Sequence, residues 1–313
     1  MRTVQHPFRF GIQLTGPLPG MSWADTARAV EAAGYSSLHL PDHFGDQFGP
    51  LPAMAAAAAV TTELIVGTLV FDNDYRHPLV LAKDMATLDV IAEGRVEFGI
   101  GSGWMRTDYE ASGIPYDDPR IRVDRFAEGV EIIEQIFAGE TFSHDGEHYS
   151  ITEYEGFPKP YTPGGPRLLI GGGRPRMLRF AAEHADIVGI NPTIASGQVD
   201  ADAARDAGAD RFDAKVALVR EAAGDRLSEI ELNALVMVCA ITDDPMAMAE
   251  MVAPMFGVEA SLVLESPSTA IGTVDGLCDE LHRRRERWGL SYSIVQQDAF
   301  EQFAPVVARL AGT

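Results

Sequence analysis

The chain has 313 residues, of which 46% are hydrophobic and 23% are charged, and its formal net charge is −21 at pH 7. The length allows one large α/β domain or two ordinary ones, and the composition is that of a globular protein. The negative charge argues against nucleic acid as a partner, because the phosphate backbone would be repelled. An anionic cofactor is not excluded, since salt screens charges beyond about 8 Å and a local arginine cluster can dominate.

The sequence also lacks the features of membrane and secreted proteins. No apolar run reaches the ~20 residues that a membrane span requires, and the first residues contain no apolar signal core. We therefore expect a cytoplasmic protein that does not enter a membrane. The two cysteines, Cys239 and Cys278, are expected to be buried thiols and not a structural disulfide.

Short β-rich runs alternate with longer helical patterns along the whole chain. The predicted strands cover 9–14, 36–40, 63–70, 96–101, 168–172, 186–191, 229–242 and 291–296. The main predicted helices cover 22–34, 52–61, 77–94, 121–138, 174–184, 208–223, 274–289 and 298–311. Eight strands, each followed by a helix, predict an α/β fold of the (β/α)₈ TIM-barrel class, with residues 1–313 in one domain. An open doubly wound sheet usually has fewer strands.

One segment interrupts this alternation after the fourth strand. Residues 139–166 are predicted to form a small insertion in the barrel. Within it, "TFSHDGEHYSI" predicts a β-hairpin with Asp145-Gly146 as the turn, and "FPKPYTPGGP" predicts an extended linker. The insertion is too short to form a domain of its own.

Glycine runs follow the fourth and fifth predicted strands, at 99–103 and 171–173. Neither matches the G-x-G-x-x-G dinucleotide fingerprint. Both lie where barrel active sites lie, and the helix that starts near Arg174 adds the positive end of its dipole. Tight turns would explain one such run. Two runs, with arginines at 174, 176 and 179 beside one of them, favour a phosphate site, although barrel phosphate loops usually follow strands 7 and 8.

Residues with possible catalytic or binding roles follow several other strands. Asp42 and His43 follow the second strand, and a histidine beside an aspartate is a ready acid–base pair, although a solvated loop histidine is the commoner case. Trp104 follows the fourth strand and would either stack on a flat ring or cover the edge of the core. Arg76, after the third strand, would either contact an anion or lie in a solvated turn.

Taken in order, these strand ends resemble the luciferase-like flavin and deazaflavin oxidoreductases, the bacterial luciferase superfamily. The matching elements are "FGIQL", "AVEAAGYSSLHLPDHF", "VGTLV…YRHPLVLAKDMATLD", "GRVEFGIGSGW…YEASGI", "LLIGGG", "EHADIVGI" and the C-terminal "IGTVDGLCDELHRRRERWGLSYSIV". Each element is weak alone, but the ordered set spans nearly the whole chain. The details, especially "PDHF", resemble the branch that uses coenzyme F420, a deazaflavin hydride carrier.

This resemblance implies roles for particular residues. Asp42 and His43 would be catalytic and lie near the reactive ring, and a non-proline cis peptide would join Leu69 and Val70 behind the ring. The implied cofactor-binding residues are Leu69, Val70, Gly101, Ser102, Gly103, Trp104, Gly171, Gly172, Gly173, Arg174 and Asn191. No metal is implied. Some F420-dependent sugar-phosphate and alcohol dehydrogenases have a proton-donating glutamate where this chain has Trp104, so their reaction is not carried over; the nearest acids are Asp108 and Glu110.

The resulting hypothesis is hydride transfer between F420, or a flavin, and a small organic substrate, with His43 exchanging one proton and Asp42 either orienting it or holding its positive form. The first alternative is an FMN-dependent monooxygenase that uses reduced flavin, supplied by a partner reductase, and oxygen. The second is a barrel that binds a cofactor without chemistry. By family likeness a homodimer is expected.

Overall fold

A computed structural model describes residues 6–313, and its eight-stranded parallel sheet closes on itself. In the described chain the strands are β1 (Arg9–Gln13), β2 (Ser37–Leu40), β3 (Ile65–Thr68), β4 (Phe71–Asp72), β5 (Val96–Gly101), β6 (Phe142–Asp145), β7 (Ser150–Tyr154), β8 (Arg167–Gly172), β9 (Ile187–Ile190), β10 (Glu231–Val236), β11 (Val238–Ile241), β12 (Thr269–Gly272) and β13 (Leu290–Gln296). The barrel order is β1-β2-β3-β5-β8-β9-β10-β13, and pairing of β13 with β1 closes the ring. The TIM-barrel prediction is confirmed.

Helices connect consecutive strands and surround the barrel. They are α1 (Trp23–Ala32), α2 (Pro50–Ala58), α3 (Pro78–Ile91), α4 (Arg106–Ser112), α5 (Pro119–Ala138), α6 (Pro175–His184), α7 (Ala201–Asp206), α8 (Ala209–Ala223), α9 (Pro245–Phe256), α10 (Ala260–Glu265), α11 (Val274–Trp288) and α12 (Phe300–Leu310). Short 3₁₀ turns cover Asn73–Tyr75, Gly224–Ser228 and Gln297–Ala299. Within residues 6–313, no helix combines the length and apolar character needed to cross a bilayer.

Local sequence explains why these elements start and stop where they do. The Ser22 side chain accepts a hydrogen bond from the backbone N–H of Asp25 and so caps α1. Gly34, just after this helix, has a φ of +84°, which favours glycine. The strand β5 is buried along its whole length, because its side chains face either the barrel interior or the surrounding helices.

The barrel interior has a charged layer at the end where the strands begin. Arg9 contacts both Glu97 and Glu231, and Arg167 also pairs with Glu231. Burial alone would raise the pKa of Glu97, but the Arg9 guanidinium and a hydrogen-bonding contact with His39 outweigh it and hold that pKa well below its usual range. Two arginines and two glutamates therefore fill the end of the barrel where the strands begin. The end where the strands stop is free of this layer and can hold a functional site.

The seventh predicted strand differs from the strands in the structure. The predicted seventh strand, 229–242, is wrong as a single strand, since it breaks at Met237 into β10 and β11. Only β10 belongs to the barrel, while β11 pairs with β12 in a separate two-stranded sheet. The backbone N–H of Met237 donates to the carbonyl of Ser268 (2.8 Å), a contact that no local pattern reveals.

The insertion contains the expected hairpin, formed by β6 and β7. Its connection is a four-residue loop, 146–149, and not a two-residue turn at Asp145-Gly146. Glu128 on α5 determines this geometry, because its carboxylate accepts hydrogen bonds from the backbone N–H groups of His148 (3.0 Å) and Tyr149 (2.8 Å). The loop thus bends toward the helix that carries this carboxylate.

Candidate active site

The loops that follow the parallel barrel strands meet at one rim of the barrel, because all these strands end there. His43 lies in the loop after β2, and Trp104 lies three residues after the end of β5. Their rings contact each other edge to face, with centroids 5.5 Å apart and an interplanar angle of 88°. The fold therefore brings together two of the side chains that the sequence singled out.

The partner of His43 differs from the one that the sequence suggested. Its Nδ1 atom lies 2.6 Å from Oδ2 of Asp108, a buried carboxylate on α4. Asp108 also accepts hydrogen bonds from the Tyr75 hydroxyl (3.3 Å) and from the backbone N–H of Phe44 (3.4 Å). A carboxylate can only accept, so Nδ1 of His43 carries a proton and Nε2 is the atom left for other contacts.

The expectation that Asp42 orients His43 is wrong, because the Asp42 carboxylate is bound by the guanidinium of Arg76. The two oxygens of this buried carboxylate accept hydrogen bonds from the two guanidinium nitrogens of Arg76, at 2.5 and 2.9 Å. The backbone N–H of Asp72 donates to the same carboxylate at 3.0 Å. Asp42 and Arg76 therefore form a bidentate ion pair that fixes the loops after β2 and β4.

A second carboxylate, that of Asp72, lies next to this pair and makes no ion pair with a cation of residues 6–313. Asp72 accepts a hydrogen bond from the Tyr109 hydroxyl (2.9 Å), which also contacts Asp74 (3.0 Å). Burial raises the pKa of Asp72 to about 7, and the neighbouring charge of Asp74 adds to the effect. Asp72 therefore holds or releases a proton near neutral pH.

Apolar side chains form the floor of the mouth. Leu69 and Val70, which are joined by a cis peptide bond as the family resemblance implied, pack with Leu235 on an interior cluster that includes Leu169 and Ile294. The side chain of Gln13 donates a hydrogen bond to the carbonyl of Leu69 (2.7 Å) and so fixes this backbone in place. The floor is apolar, and its backbone is held by a hydrogen bond.

The glycines after β5 allow close packing at the edge of this floor. A Cβ atom at Gly101 would lie 2.9 Å from Cγ2 of Val70, and one at Gly103 would overlap the hydroxyl of Tyr109. Gly103 has a φ of +73°, and its carbonyl accepts a hydrogen bond from the buried Arg122 (2.6 Å). Ser102 lies half-buried between the two glycines.

The second glycine run packs against the loop that follows β9. A Cβ atom at Gly171 would lie 2.8 Å from Nδ2 of Asn191, and one at Gly173 would lie 2.7 Å from the backbone of Pro192. Gly172 accepts a hydrogen bond from the backbone N–H of Asn191 (2.9 Å). These glycines thus have a packing role in addition to any ligand role.

The helix α6 begins directly after this run. Arg174 is its N-cap and is exposed, and no side chain caps the first turn. Because the first N–H groups of a helix carry partial positive charge, this end suits an anion. Arg176, by contrast, pairs with Asp124 and is not free to serve that site. Among residues 6–313, no group of three or more metal-ligating side chains converges.

The residues at this rim fit a flat, phosphorylated redox coenzyme. An apolar floor and an aromatic side chain accommodate a planar ring system, and a helix N-terminus beside Arg174 accommodates a phosphate. The sequence pointed to His43, Trp104 and the glycines, since each follows a strand. It missed the role of Asp108, although this residue was noted as one of the nearest acids, and it left Arg76 undecided.

Comparison with known proteins places the chain among relatives with this architecture. A sequence model of the family described as luciferase-like monooxygenase matches residues 4–304. The F420-dependent glucose-6-phosphate dehydrogenase of Beutenbergia cavernae is 34% identical over 165 residues, which are 50% of this chain and 48% of that protein. The chain thus spans about half the length of the curated F420-dependent glucose-6-phosphate dehydrogenases that it matches.

Solved structures share the fold at low sequence identity. The coenzyme F420-dependent tetrahydromethanopterin reductase from Methanopyrus kandleri has a TM-score of 0.73 at 20% identity, covering 97% of this chain and 100% of that one. The monooxygenase RslO1 from Streptomyces bottropensis has a TM-score of 0.70 at 23% identity, covering 96% and 97%. The same barrel therefore occurs in F420-dependent and monooxygenase proteins.

Proposed function

Because the chain belongs to the luciferase-like monooxygenase family, we propose that it is an oxidoreductase that binds coenzyme F420 and acts on a small organic substrate. One observation carries the proposal. The His43–Asp108 pair, the Trp104 ring, the apolar floor and the free start of α6 belong to one rim of the barrel. An acid–base group, a ring platform and an anion site are what a deazaflavin enzyme requires.

We assign the binding residues by their positions on the rim. Leu69, Val70 and Trp104 would contact the ring. The phosphate end would be held by the backbone and side chains of Gly101, Ser102, Gly103, Gly171, Gly172, Gly173, Arg174 and Asn191. This division follows from chemistry, since the first group is apolar or aromatic and the second offers N–H groups and a cation.

When bound, the deazaflavin supplies or accepts a hydride. The protein then has to manage one proton, and His43 is the residue for this role, because Asp108 holds its Nδ1–H and leaves Nε2 to exchange a proton with the substrate. Asp42 serves as a positioning residue through its ion pair with Arg76 and does not contact the histidine ring. Among the described residues Nε2 of His43 has no hydrogen-bond partner, which keeps it available.

The decisive experiment is an equilibrium titration of the purified protein with F420 and, separately, with FMN, followed by fluorescence. We expect saturable binding of F420, weaker binding of FMN, and turnover of reduced F420 with a ketone or an electrophilic alkene. Absence of F420 binding would refute the proposal.

The alternative is an FMN-dependent monooxygenase, which the likeness to RslO1 favours. It would need reduced flavin from a partner reductase and would consume oxygen. Tighter binding of FMN together with oxygen uptake would establish it. A barrel that only binds a cofactor is disfavoured by the His43–Asp108 pair, and turnover of reduced cofactor would rule it out.

We further propose that residues 1–313 unfold as one domain, with 139–166 as an insertion, and that the protein is a cytoplasmic homodimer. The two cysteines, Cys239 and Cys278, are free thiols, as expected for a reducing compartment. Exposed apolar side chains at Val90 and Ile91 are consistent with a subunit contact. Light scattering would measure the dimer, and a single cooperative unfolding transition would support one domain.

A further inference from the structure

The two sides of the barrel mouth differ sharply in charge. Arg106 begins α4, after β5, and Arg174 is the N-cap of α6, after β8, and neither makes an ion pair with a carboxylate of the described residues. The segment after β9 lies on the same side, because a Cβ atom at Gly197 would lie 3.1 Å from Cβ of Arg106. By contrast, the segments after β10, β13, β1 and β2, which are consecutive strands of the barrel, contain no lysine or arginine. These segments are 237–268, 297–299, 14–22 and 41–49. Cations are therefore confined to the side where we place the cofactor phosphate.

One more cation, Arg76, follows the third strand of the barrel, and its charge is already neutralised by a carboxylate. Arg76, in the loop after β4, makes its bidentate contact with Asp42. The cation-free segments do contain acids, including Asp46, Asp243 and Asp298, which are exposed. An anionic substrate on this side would meet carboxylates and no available cation, and both effects oppose its binding.

Exposed apolar side chains occupy the same cation-free segments. Phe44 is 51% exposed and stacks on Tyr75, with ring centroids 4.6 Å apart. Met237 is 46% exposed. Large apolar side chains that remain exposed around a pocket commonly mark a ligand site.

Met237 is connected to the floor by a short chain of contacts. Its sulfur lies 3.7 Å from Nε2 of Gln296, which donates a hydrogen bond to Oε1 of Gln13 (2.9 Å). Gln13 in turn donates to the carbonyl of Leu69. Met237 is thus linked through two glutamines to the backbone that carries the apolar floor.

We propose that this site takes an uncharged, largely apolar substrate with an electrophilic carbon, such as a ketone, and discriminates against phosphates and carboxylates. The inference rests on the proposed function and specifies its substrate class. In the direction of reduction, the carbonyl carbon gains a hydride from the reduced deazaflavin, the π bond of the carbonyl breaks, and its oxygen takes a proton from His43. The substrate gains two hydrogens, and the coenzyme is oxidised by two electrons.

The test uses three ligands with one skeleton: acetophenone, its para-carboxylate and its para-trimethylammonium derivative. Binding is measured by calorimetry, with cofactor-free protein and with protein saturated with oxidised F420, so that the readout does not depend on turnover. We expect acetophenone to bind at least about tenfold more tightly than the carboxylate, and more tightly than the cation.

A charge-introducing variant sharpens this test. Met237→Lys places a cation on the cation-free side, and we expect it to improve carboxylate binding about tenfold or more relative to acetophenone. Tyr161→Lys introduces the same positive charge at an exposed side chain beside Gly94, at the end of the barrel where the strands begin, and should leave the preference unchanged. F420 affinity should be the same in both variants, which also shows that they are folded.

Several outcomes would overturn the substrate class while leaving F420 binding intact. These are equal or tighter binding of the carboxylate by the unmodified protein, tighter binding of the cation, no binding of any neutral ketone, or an unchanged preference in Met237→Lys. Loss of F420 binding in the unmodified protein would instead refute the proposed function, so the two failures are distinguishable.

Discussion

Nδ1 of His43 lies 2.6 Å from Oδ2 of Asp108, a residue that follows Trp104 by four positions in the chain. This contact joins the loop after β2 to α4 and defines which imidazole nitrogen carries the proton. It also separates the roles of the two aspartates near His43, since Asp42 is held by Arg76 and only Asp108 touches the ring.

Removing the proposed proton-exchanging group should lower turnover and leave F420 affinity nearly unchanged. His43→Ala is expected to lower turnover of reduced F420 by about 10²–10⁴-fold, which is the usual contribution of general acid–base catalysis. The dissociation constant of F420, measured by fluorescence, should change little, because the ring platform and the anion site remain. Unchanged turnover would show that His43 has no such role.

Asp108→Asn tests the positioning of His43. We expect kcat to fall on the order of 10²-fold while F420 affinity changes little, because the imidazole loses the carboxylate hydrogen-bond partner that orients it. Glu110→Gln, an exposed neighbour on α4, is the matched control and should behave like the unmodified protein. A variant that loses stability but keeps kcat would indicate that Asp108 is only structural.

Gly173→Ala probes the packing between the glycine run and the loop after β9. The new Cβ would lie 2.7 Å from backbone atoms of Pro192 and Thr193, which cannot move as a side chain can. Such overpacking costs about 1–3 kcal/mol. We expect F420 affinity, measured by titration, to fall by about tenfold or more. Gly16→Ala has no atom within 4 Å of its Cβ and should bind F420 normally.

The buried carboxyl of Asp72 should make stability fall as the pH rises toward neutrality. Burial raises its pKa to about 7, from an ordinary value of 3.8, so the folded state retains a proton that the unfolded chain releases. The stabilisation is complete below the unfolded pKa of 3.8 and is lost as the pH rises to the folded pKa of about 7, at most by about 1.4 kcal/mol per pH unit.

Asp72→Asn should therefore flatten the pH dependence of the free energy of unfolding between about pH 4 and about pH 7. The amide oxygen can still accept the hydrogen bond of Tyr109, so the network stays intact. Asp46→Asn, at an exposed position, is the control and should follow the unmodified protein. If Asp72→Asn keeps the original slope, Asp72 does not titrate in this range.

The charged layer at the other end of the barrel should matter for stability alone. Glu97→Gln removes one of the two buried carboxylates that contact Arg9, and removal of one member of a buried ion pair typically costs about 3–5 kcal/mol. Urea unfolding should show this loss, whereas F420 affinity should persist in the folded protein. Glu63→Gln, an exposed matched control, should cost little. A mild effect would mean that the layer rearranges around the amide.

The barrel was predictable because its signals are local. The strands β5 and β8 are short apolar runs ended by glycines, and each is followed by a helical pattern, so order and number of strands emerged from the sequence. The end of β10 was not predictable, since its break at Met237 depends on a contact with Ser268, which lies 31 positions later.

The site was predictable only in part, for the same physical reason. Position at a strand end identified His43 and Trp104, but pairing depends on side-chain directions that the fold determines. Asp42 is adjacent to His43 in sequence and yet contacts Arg76, 34 positions away, whereas Asp108 is 65 positions away and contacts the histidine. Adjacent residues in a loop often point in different directions, and only the folded backbone resolves this.

The most direct test of the central claim is a crystal structure of the protein with F420 bound. The account predicts the deazaflavin ring on Leu69 and Val70, with Nε2 of His43 at its edge and the phosphate at Gly173 and Arg174. Density for the coenzyme anywhere other than this rim, or a ring turned away from His43, would contradict it.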